Sequence, residues 1–240
     1  MNPMNGSDFS RTREQLEPDF DPYGTEVGEL PQGGGAPDDA TTKTGTTIVG
    51  LVTEDSVVMG SDQRASLAGR IVSNKDVQKV ERIQQNAALT ISGSVGGAQA
   101  FIRALRAETN LYEARRGEEM SISALATMAS NMLRGGPYFR VVPLLGGVDD
   151  DGGHVFSLDP AGSRLADDYS TSGSGMQYAM GVLEQEYTTD LSTDEAKTVA
   201  ARAVKSAVER DTASGNGIHL TTVTRNDVTT EGYESFEDLV

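Results

Sequence analysis

Cysteine is absent from all 240 residues. That removes disulfide staples, thiolate metal ligands and cysteine nucleophiles together, and a reducing cytoplasm is the compartment to expect. Histidine is nearly absent too: His154 and His219 are the only two, both in strand-like segments among apolar residues. No G-x-S-x-G elbow exists to expose a serine to either, so a Ser-His-Asp triad has no recognisable scaffold. There is no HExxH pair for zinc. The glycine-rich pieces SGSVGGAQ (92–99) and SGSG (172–175) lack the lysine of a phosphate loop and the spacing of a dinucleotide fingerprint. No metal and no cofactor is expected.

Long hydrophobic runs and positive charge are scarce as well. No stretch of about 18 apolar residues occurs, which excludes a transmembrane helix by pattern. The opening residues, MNPMNGSDFSRTREQLEPDFDPYG, contain no apolar segment of the secretory kind. The formal net charge is -16, with five lysines (Lys43, Lys75, Lys79, Lys197, Lys205) against 36 acidic residues. Nucleic acid needs a basic footprint and is a poor partner for such a surface. Acid spread along the chain with little lysine suits a protein kept soluble in high salt, where surface charge is heavily screened.

What is present begins as a low-complexity leader. Residues 1–45 end in GELPQGGGAPDDATTKTG, too polar and too rich in Gly and Pro to bury much surface, and disorder is expected there. From Thr46 the pattern changes. TTIVGLVT and SVVMGSDQ read as two strands of a hairpin turning at Glu54-Asp55, and ALTISGSV (88–95) as another strand. Residues 98–113 carry Ile102, Leu105, Thr109 and Tyr112 at helical spacing, and 121–134 repeat this with Ile122, Leu125, Ala126, Ala129 and Leu133. Strands return in RVVPLLGGV and HVFSLDP, with a turn into SRLADDYSTS. Helices follow at 176–187 and after the capping box Ser192-x-x-Glu195, and GIHLTTVTR closes the core. The acidic end, EGYESFEDLV, reads as an exposed tail. Strands come in neighbouring runs rather than singly between helices. Two mostly antiparallel sheets with helices outside them fit this order better than a doubly wound parallel sheet.

The segment TTKTGTTIVG (41–50) sits at the seam between leader and body and carries the chemistry. A threonine hydroxyl is a poor nucleophile without a base. One base needs no second side chain: the α-amino group of the same residue, freed when the preceding peptide bond is cut. Its ordinary pKa of about 7.7–8.0 leaves a useful unprotonated fraction near neutrality. Gly45, lacking Cβ, lets the chain bend there. The plain alternative is a Thr-rich linker running into a strand.

TGTTIVGLVTEDSVVMGSDQRAS (44–66) resembles the start of the catalytic β subunits of archaeal, and here haloarchaeal, 20S proteasomes. The segments SNKDVQKVERI, ALTISGSVGGAQ, LRAETNLYEARRG, NMLRGGPYF, LLGGVD, VFSLDPAG, STSGSGMQYAMGVLE and AVERDTASGNGI look like the same family in the same order. The likeness runs from about 44 to about 225. It implies the α+β, αββα four-layer sandwich of the N-terminal nucleophile hydrolases. It implies a propeptide, 1–45, removed by self-cleavage at Gly45/Thr46, and a catalytic domain, 46–240, that acts as a threonine endopeptidase. Thr46 matches the family's nucleophile, Asp62 in GSDQR its strand acid and Lys79 in VQKVE its lysine. This sequence has one residue more than the family pattern between Arg64 and Lys79, so Lys75 stays open as a rival. Gly93 in ISGSV matches the oxyanion-hole glycine. Ser174 in SGSG, with Asp211 and Ser214 in ERDTASG, matches the hydrogen-bonding set around the new N-terminus. By analogy Ala65, Val77, Ile91 and Val95 line the pocket for the residue before the scissile bond, and their apolar character implies cleavage after hydrophobic residues. Without the family, Gly93 is a strand end, Asp211 and Ser214 a helix-terminal turn, and the four apolar residues plain core. Thr44 and Thr47 stay open as alternative N-termini.

The resemblance also implies partners. These are a homo-heptameric β ring, stacked in pairs between α-subunit heptamers, an ATPase regulator acting through the α ring, and unfolded polypeptide substrates, with neither nucleic acid nor membrane. The helices at 98–115 and 121–134 would then serve as ring-to-ring contacts. Two rivals are a non-cutting ring subunit and the bacterial hexameric ATP-dependent threonine protease, whose leader is normally very short.

Overall fold

The computed structural model describes residues 43–67, 70–138, 140–237 and 239–240. The disorder expected of the leader falls on residues that, up to 42, lie outside this range.

Fourteen strands and four helices are found among the described residues. The hairpin turning at Glu54-Asp55 forms as β2 (Thr47–Val52) and β3 (Val57–Asp62), with the Thr53 N–H donating to the Ser56 carbonyl across the turn. With β12 (Tyr169–Gly173), β13 (Ile218–Val223) and β14 (Val228–Tyr233) they make one five-stranded sheet in the order β12-β2-β3-β13-β14. The other large sheet runs β11 (Arg164–Asp167), β10 (Gly152–Leu158), β9 (Leu144–Asp149), β7 (Ala87–Thr90) and β6 (Val80–Gln84). Every pairing in both sheets is antiparallel.

The strand side chains explain why two sheets form. Alternate residues point to opposite faces, and both faces of β2 and β3 are apolar. Val49, Leu51 and Val58 pack on α3 (Met176–Glu186) and α4 (Thr193–Val208) through Ala179, Leu183, Ala196, Ala200 and Val204. Ile48, Val57 and Met59 turn the other way, onto Val80, Ala88, Leu144, Val148 and Val155 of the second sheet. That sheet's outer face, with Leu89, Leu145 and Phe156, packs on α1 (Val95–Arg116) and α2 (Ile122–Gly135) through Phe101, Leu105, Leu125 and Ala129. The result is the expected αββα sandwich. The capping box forms as read, with the Ser192 hydroxyl accepting from Glu195 N–H and the Glu195 carboxylate from Ser192 N–H.

Three readings are corrected. ALTISGSV is not one strand: β7 stops at Thr90, and Gly93–Ser94 form the short β8. Helix α1 begins at Val95, three residues earlier than its apolar spacing indicated, because Ser94 caps it by accepting from Gly97 N–H. The acidic end is no free tail. Glu231–Tyr233 belong to β14, paired along β13, and Phe236 and Leu239 pack on the α3–α4 core. Isolated aromatic and leucine residues among acids carry too weak a periodicity to reveal this. The strands between 65 and 84, namely β4 (Ala65–Leu67), β5 (Ile71–Asn74) and β6, have no counterpart among the expected elements. All four residues of β5 are exposed, so no inward face marks it.

Candidate active site

Thr46 lies just before β2 and is buried, with its hydroxyl donating to Asp62 Oδ1 at 3.0 Å. Asp62 ends β3 and has no exposed surface. Register explains the meeting: Ile48 pairs with Ser61, so the residues just before Ile48 come level with Asp62. Five donors converge on this one carboxylate. Oδ1 accepts from Thr46 Oγ1, from Thr47 N–H at 2.9 Å and from Lys79 Nζ at 2.6 Å; Oδ2 accepts from Arg64 N–H at 3.1 Å and Gly215 N–H at 2.9 Å. Lys79 is itself buried. Burial holds its pKa below the ordinary lysine value, and the Asp62 carboxylate pulls in the opposite direction. A buried ion pair is poor evidence of stability, because desolvation offsets its attraction. One placed against a threonine hydroxyl is better understood by what it does to that hydroxyl. Lys75, the rival, is exposed and lines a separate recess with Asp76 and His219.

A second carboxylate organises the other side of Thr46. The Ser174 hydroxyl donates to Asp211 Oδ2 at 2.5 Å and accepts the Thr46 N–H at 3.1 Å. Ser214 donates to the same Asp211 oxygen at 2.7 Å, and its oxygen lies 2.8 Å from Thr47 Oγ1. The Asp211-x-x-Ser214 turn after α4 therefore faces the head of β2. All of Thr46, Asp62, Lys79, Ser174, Asp211 and Ser214 meet in one place.

Gly45 is half-buried and closely packed. A Cβ there would stand 1.8 Å from Ala213 Cβ and 3.0 Å from Ser174 Oγ. Ahead of it, β1 (Lys43–Thr44) pairs antiparallel with β8, Thr44 opposite Gly93 and Lys43 opposite Ser94. Gly93 has a φ of +103°, and its Cα backs onto the Arg140 carbonyl so closely that a Cβ would lie 1.8 Å from that oxygen. Only glycine fits this conformation and this approach. Gly45→Ala is expected to displace the 45–46 segment from Ala213 and so to slow any cutting of the 45–46 bond at least tenfold, read by following the mass of the chain.

Beside Thr46 opens a cleft of about 380 Å3 whose lining includes Ala65, Val77, Ile91 and Val95, together with Lys79 and Gly93. The four apolar positions assigned by resemblance thus share one wall system with the threonine. Other lining residues carry no sign of a role in the sequence, namely Gln78, Glu81, Gln99, Arg103 and Arg106, and Ile102, marked there as an apolar helix position, also lines the cleft. The exception is spacing. Val95, Gln99, Ile102 and Arg106 follow one another at four, three and four residues, a single stripe of α1. Arg64 was missed too. Its side chain bonds Asn216 Oδ1 and the Thr212 carbonyl, clamping the 212–216 loop that delivers Ser214 and Gly215.

Neither histidine lines the cleft. His154 bonds Asp149, whose other oxygen accepts the first N–H of α2. His219 lies 3.4 Å from Asp76, with a buried Nδ1 that has no partner among the described residues. Burial depresses its pKa below 6.5, against the pull of Asp76. Between the depressed value and 6.5 the unfolded chain holds more protons, so the fold loses stability as pH falls through that window. His219→Leu is expected to flatten this loss, measured as the denaturation midpoint between pH 5 and 7.5 in high salt.

Two antiparallel sheets face to face between two helix pairs, with a threonine heading an inner strand beside a buried acid and lysine, are the sandwich of the N-terminal nucleophile hydrolases. The family described as "Proteasome subunit" matches residues 42–223. A "Proteasome subunit beta" of Halobacterium salinarum is 67% identical over 241 residues, covering 100% of this chain and 99% of that protein. Others of the same description, from Natrialba magadii and Natronomonas pharaonis, are 58% and 54% identical, each over 99% of this chain and 99% and 100% of their own length. The chain belongs to the proteasome subunit family and sits among its β subunits, which form a core particle together with other subunits. No helix among the described residues is long and apolar enough to cross a membrane.

Proposed function

We propose that the chain is the catalytic β subunit of a 20S core particle, a threonine endopeptidase that frees its own nucleophile by cutting Gly45/Thr46. The observation that carries this is the threonine whose hydroxyl and backbone nitrogen are held by different networks, Oγ1 by Asp62, which is itself bonded by Lys79, and N by Ser174, which in turn donates to Asp211. A hydroxyl and an amine on one residue, each separately positioned, are what a self-based nucleophile requires.

The pairing of 43–44 with Gly93–Ser94 holds the leader's end extended along the cleft, as a substrate strand would lie. Thr46 Oγ1 adds to the Gly45 carbonyl carbon, the C–N bond breaks, and the chain passes from nitrogen to oxygen as an ester. Water cleaves the ester and leaves a free amine where Ser174 Oγ already accepts from Thr46 N. In peptide cleavage that amine takes the hydroxyl proton as Oγ1 attacks the substrate carbonyl, then gives it to the leaving nitrogen. The acyl-enzyme ester is hydrolysed by water. The Lys79 ammonium lowers the pKa of both groups, and Asp62 holds it in place. The Gly93 N–H is assigned the oxyanion, a role supported by its position just ahead of a 22-residue helix whose N-terminus is the positive end of its dipole.

The apolar walls Ala65, Val77, Ile91 and Val95 support cleavage after hydrophobic residues. Residues 1–45 act as a propeptide and 46–240 as the mature catalytic domain. The chain assembles as a heptameric β ring, two such rings stacked between α heptamers in the cytoplasm, and an ATPase acting through the α ring feeds it unfolded polypeptides. N-terminal sequencing of the chain from assembled particles tests the assignment. A start at TTIVGLV supports it. An intact leader in active particles overturns it.

A further inference from the structure

Gly93 and Thr46 are carried by different sheets. Gly93 follows β7, in the sheet that packs on α1 and α2, whereas Thr46 heads β2, in the sheet that packs on α3 and α4. A nucleophile and an oxyanion donor have to keep a fixed separation, since a misplacement of about 1 Å costs on the order of 10^2-fold in rate. Ladder bonds within either sheet do not set a distance between the two.

A buried pair of hydroxyls spans the gap. Ser92, one residue before Gly93, and Ser172, in β12, are each 6% exposed, and their Oγ atoms lie 3.1 Å apart. Ser92 Oγ donates to the Val142 carbonyl at 2.7 Å, and Ser172 Oγ lies 3.3 Å from the same oxygen. Ser92 has one hydroxyl proton, and the shorter bond takes it to Val142, so the contact between the serines is donated by Ser172.

Each end of this bridge is tied to the site. Val142 N–H donates to the Ser92 carbonyl at 3.1 Å and Ser94 N–H to the Arg140 carbonyl at 3.0 Å, so residues 140–142 bracket Gly93 on both sides. Arg140 holds a φ of +70°, a region that residues other than glycine seldom occupy, which shows a bracket imposed by its surroundings. On the other sheet Ser172 pairs with Ile48 and Gly173 with Thr47, and Ser174 accepts the Thr46 N–H.

We propose that Ser92 and Ser172 are positioning residues, a hydroxyl bridge between the sheets that fixes the Gly93 amide relative to Thr46. This rests on the reading of Thr46 as nucleophile and Gly93 as oxyanion donor. Neither serine lines the cleft, so the bridge acts on the transition state and not on substrate binding.

The fold supplies its own control. Ser170, on the same face of β12 but opposite Gly50, meets Ser157 of β10 at 2.6 Å, a second hydroxyl pair between the same sheets and farther from Thr46. Assembled particles, leader-free by intact mass, would carry Ser92→Ala, Ser172→Ala, both together, or Ser157→Ala with Ser170→Ala. A fluorogenic peptide with an apolar residue before the cut gives kcat and KM. A matching peptide boronate, whose tetrahedral adduct on Thr46 Oγ1 puts an oxygen where the oxyanion forms, gives an affinity free of turnover. Each single variant should lower kcat roughly tenfold with KM within about twofold of wild type. Boronate affinity should fall by the same factor as kcat/KM. The double variant should lose no more than the worse single, because both break one bridge. The control pair should lower the denaturation midpoint as much as the double variant and leave kcat and boronate affinity at wild type. Single variants that keep kcat overturn the proposal. So does a loss confined to KM, or a kcat loss as large in the control pair, which marks a general loosening between the sheets. Wild-type particles that neither cut the peptide nor take up the boronate sink the reading of Thr46 and Gly93 instead, a result distinct from active particles indifferent to the two serines.

Discussion

Thr46→Ala particles are expected to keep residues 1–45 attached and to lose peptidase activity by more than about 10^4-fold, the scale at which removing a nucleophile leaves only binding and oxyanion stabilisation. Both losses follow from one atom. Oγ1 is the group that Asp62 holds at 3.0 Å, and alanine leaves that carboxylate with its four other donors intact. The scaffold around the site should therefore survive, and assembly should be preserved. Intact mass reports the leader, and hydrolysis of a peptide with an apolar residue before the cut reports activity. Thr46→Ser separates chemistry from packing. It keeps hydroxyl and amine but loses the methyl that sits by Gly173 and restricts χ1. Cleavage should persist, slower by about tenfold, with self-processing slowed in parallel. Full activity in Thr46→Ala would mean that another subunit of the particle does the cutting, and would favour the ring-packing subunit that does not cut.

How far the sequence carried this depended on what each residue's neighbours in the chain could reveal. The hairpin 47–62 and helix α4 were legible because continuous apolar runs and a capping box are local signals. Asp62 and Lys79 were not. A lysine 17 residues from an aspartate is ordinarily a surface pair, and only the fold, which sets the residue just before β6 against the end of β3, buries the two together. Family likeness supplied what spacing could not. The same limit explains Arg64, whose side chain bonds Asn216, 152 residues away in the chain. The short β8 and the early start of α1 were hidden because one glycine at positive φ turns a strand into a helix within two residues. Phe236 and Leu239 lacked any repeat to mark them, yet close the α3–α4 core.

Lys79→Met should lower peptidase activity by about 10^3-fold or more, the combined scale of lost charge stabilisation and lost proton-transfer tuning. It also leaves Asp62, which has no exposed surface, without its cation, so the denaturation midpoint is measured alongside activity. The two effects are separated by Lys79→Arg, which keeps a charge near Asp62 but replaces a compact ammonium by a planar guanidinium that does not titrate in the working range. The wild-type rate profile then carries the decisive sign. In the proposed mechanism activity needs the Thr46 amine neutral, which would set the acid limb, and the Lys79 ammonium charged, which would set the alkaline limb. Burial places the Lys79 pKa below 10.5, so the alkaline limb should begin below that pH. Stability runs the other way. Between the depressed value and 10.5 the unfolded chain binds the extra proton, so this residue's contribution to folding improves as pH rises through the window, while activity declines. Opposite trends in kcat/KM and in denaturation midpoint over one pH interval are hard to obtain from any group whose folded pKa is raised. In Lys79→Arg both trends should vanish from that interval and the plateau should remain low. An alkaline limb that stays in place in Lys79→Arg particles would assign it to another group and leave Lys79 as a structural partner of Asp62.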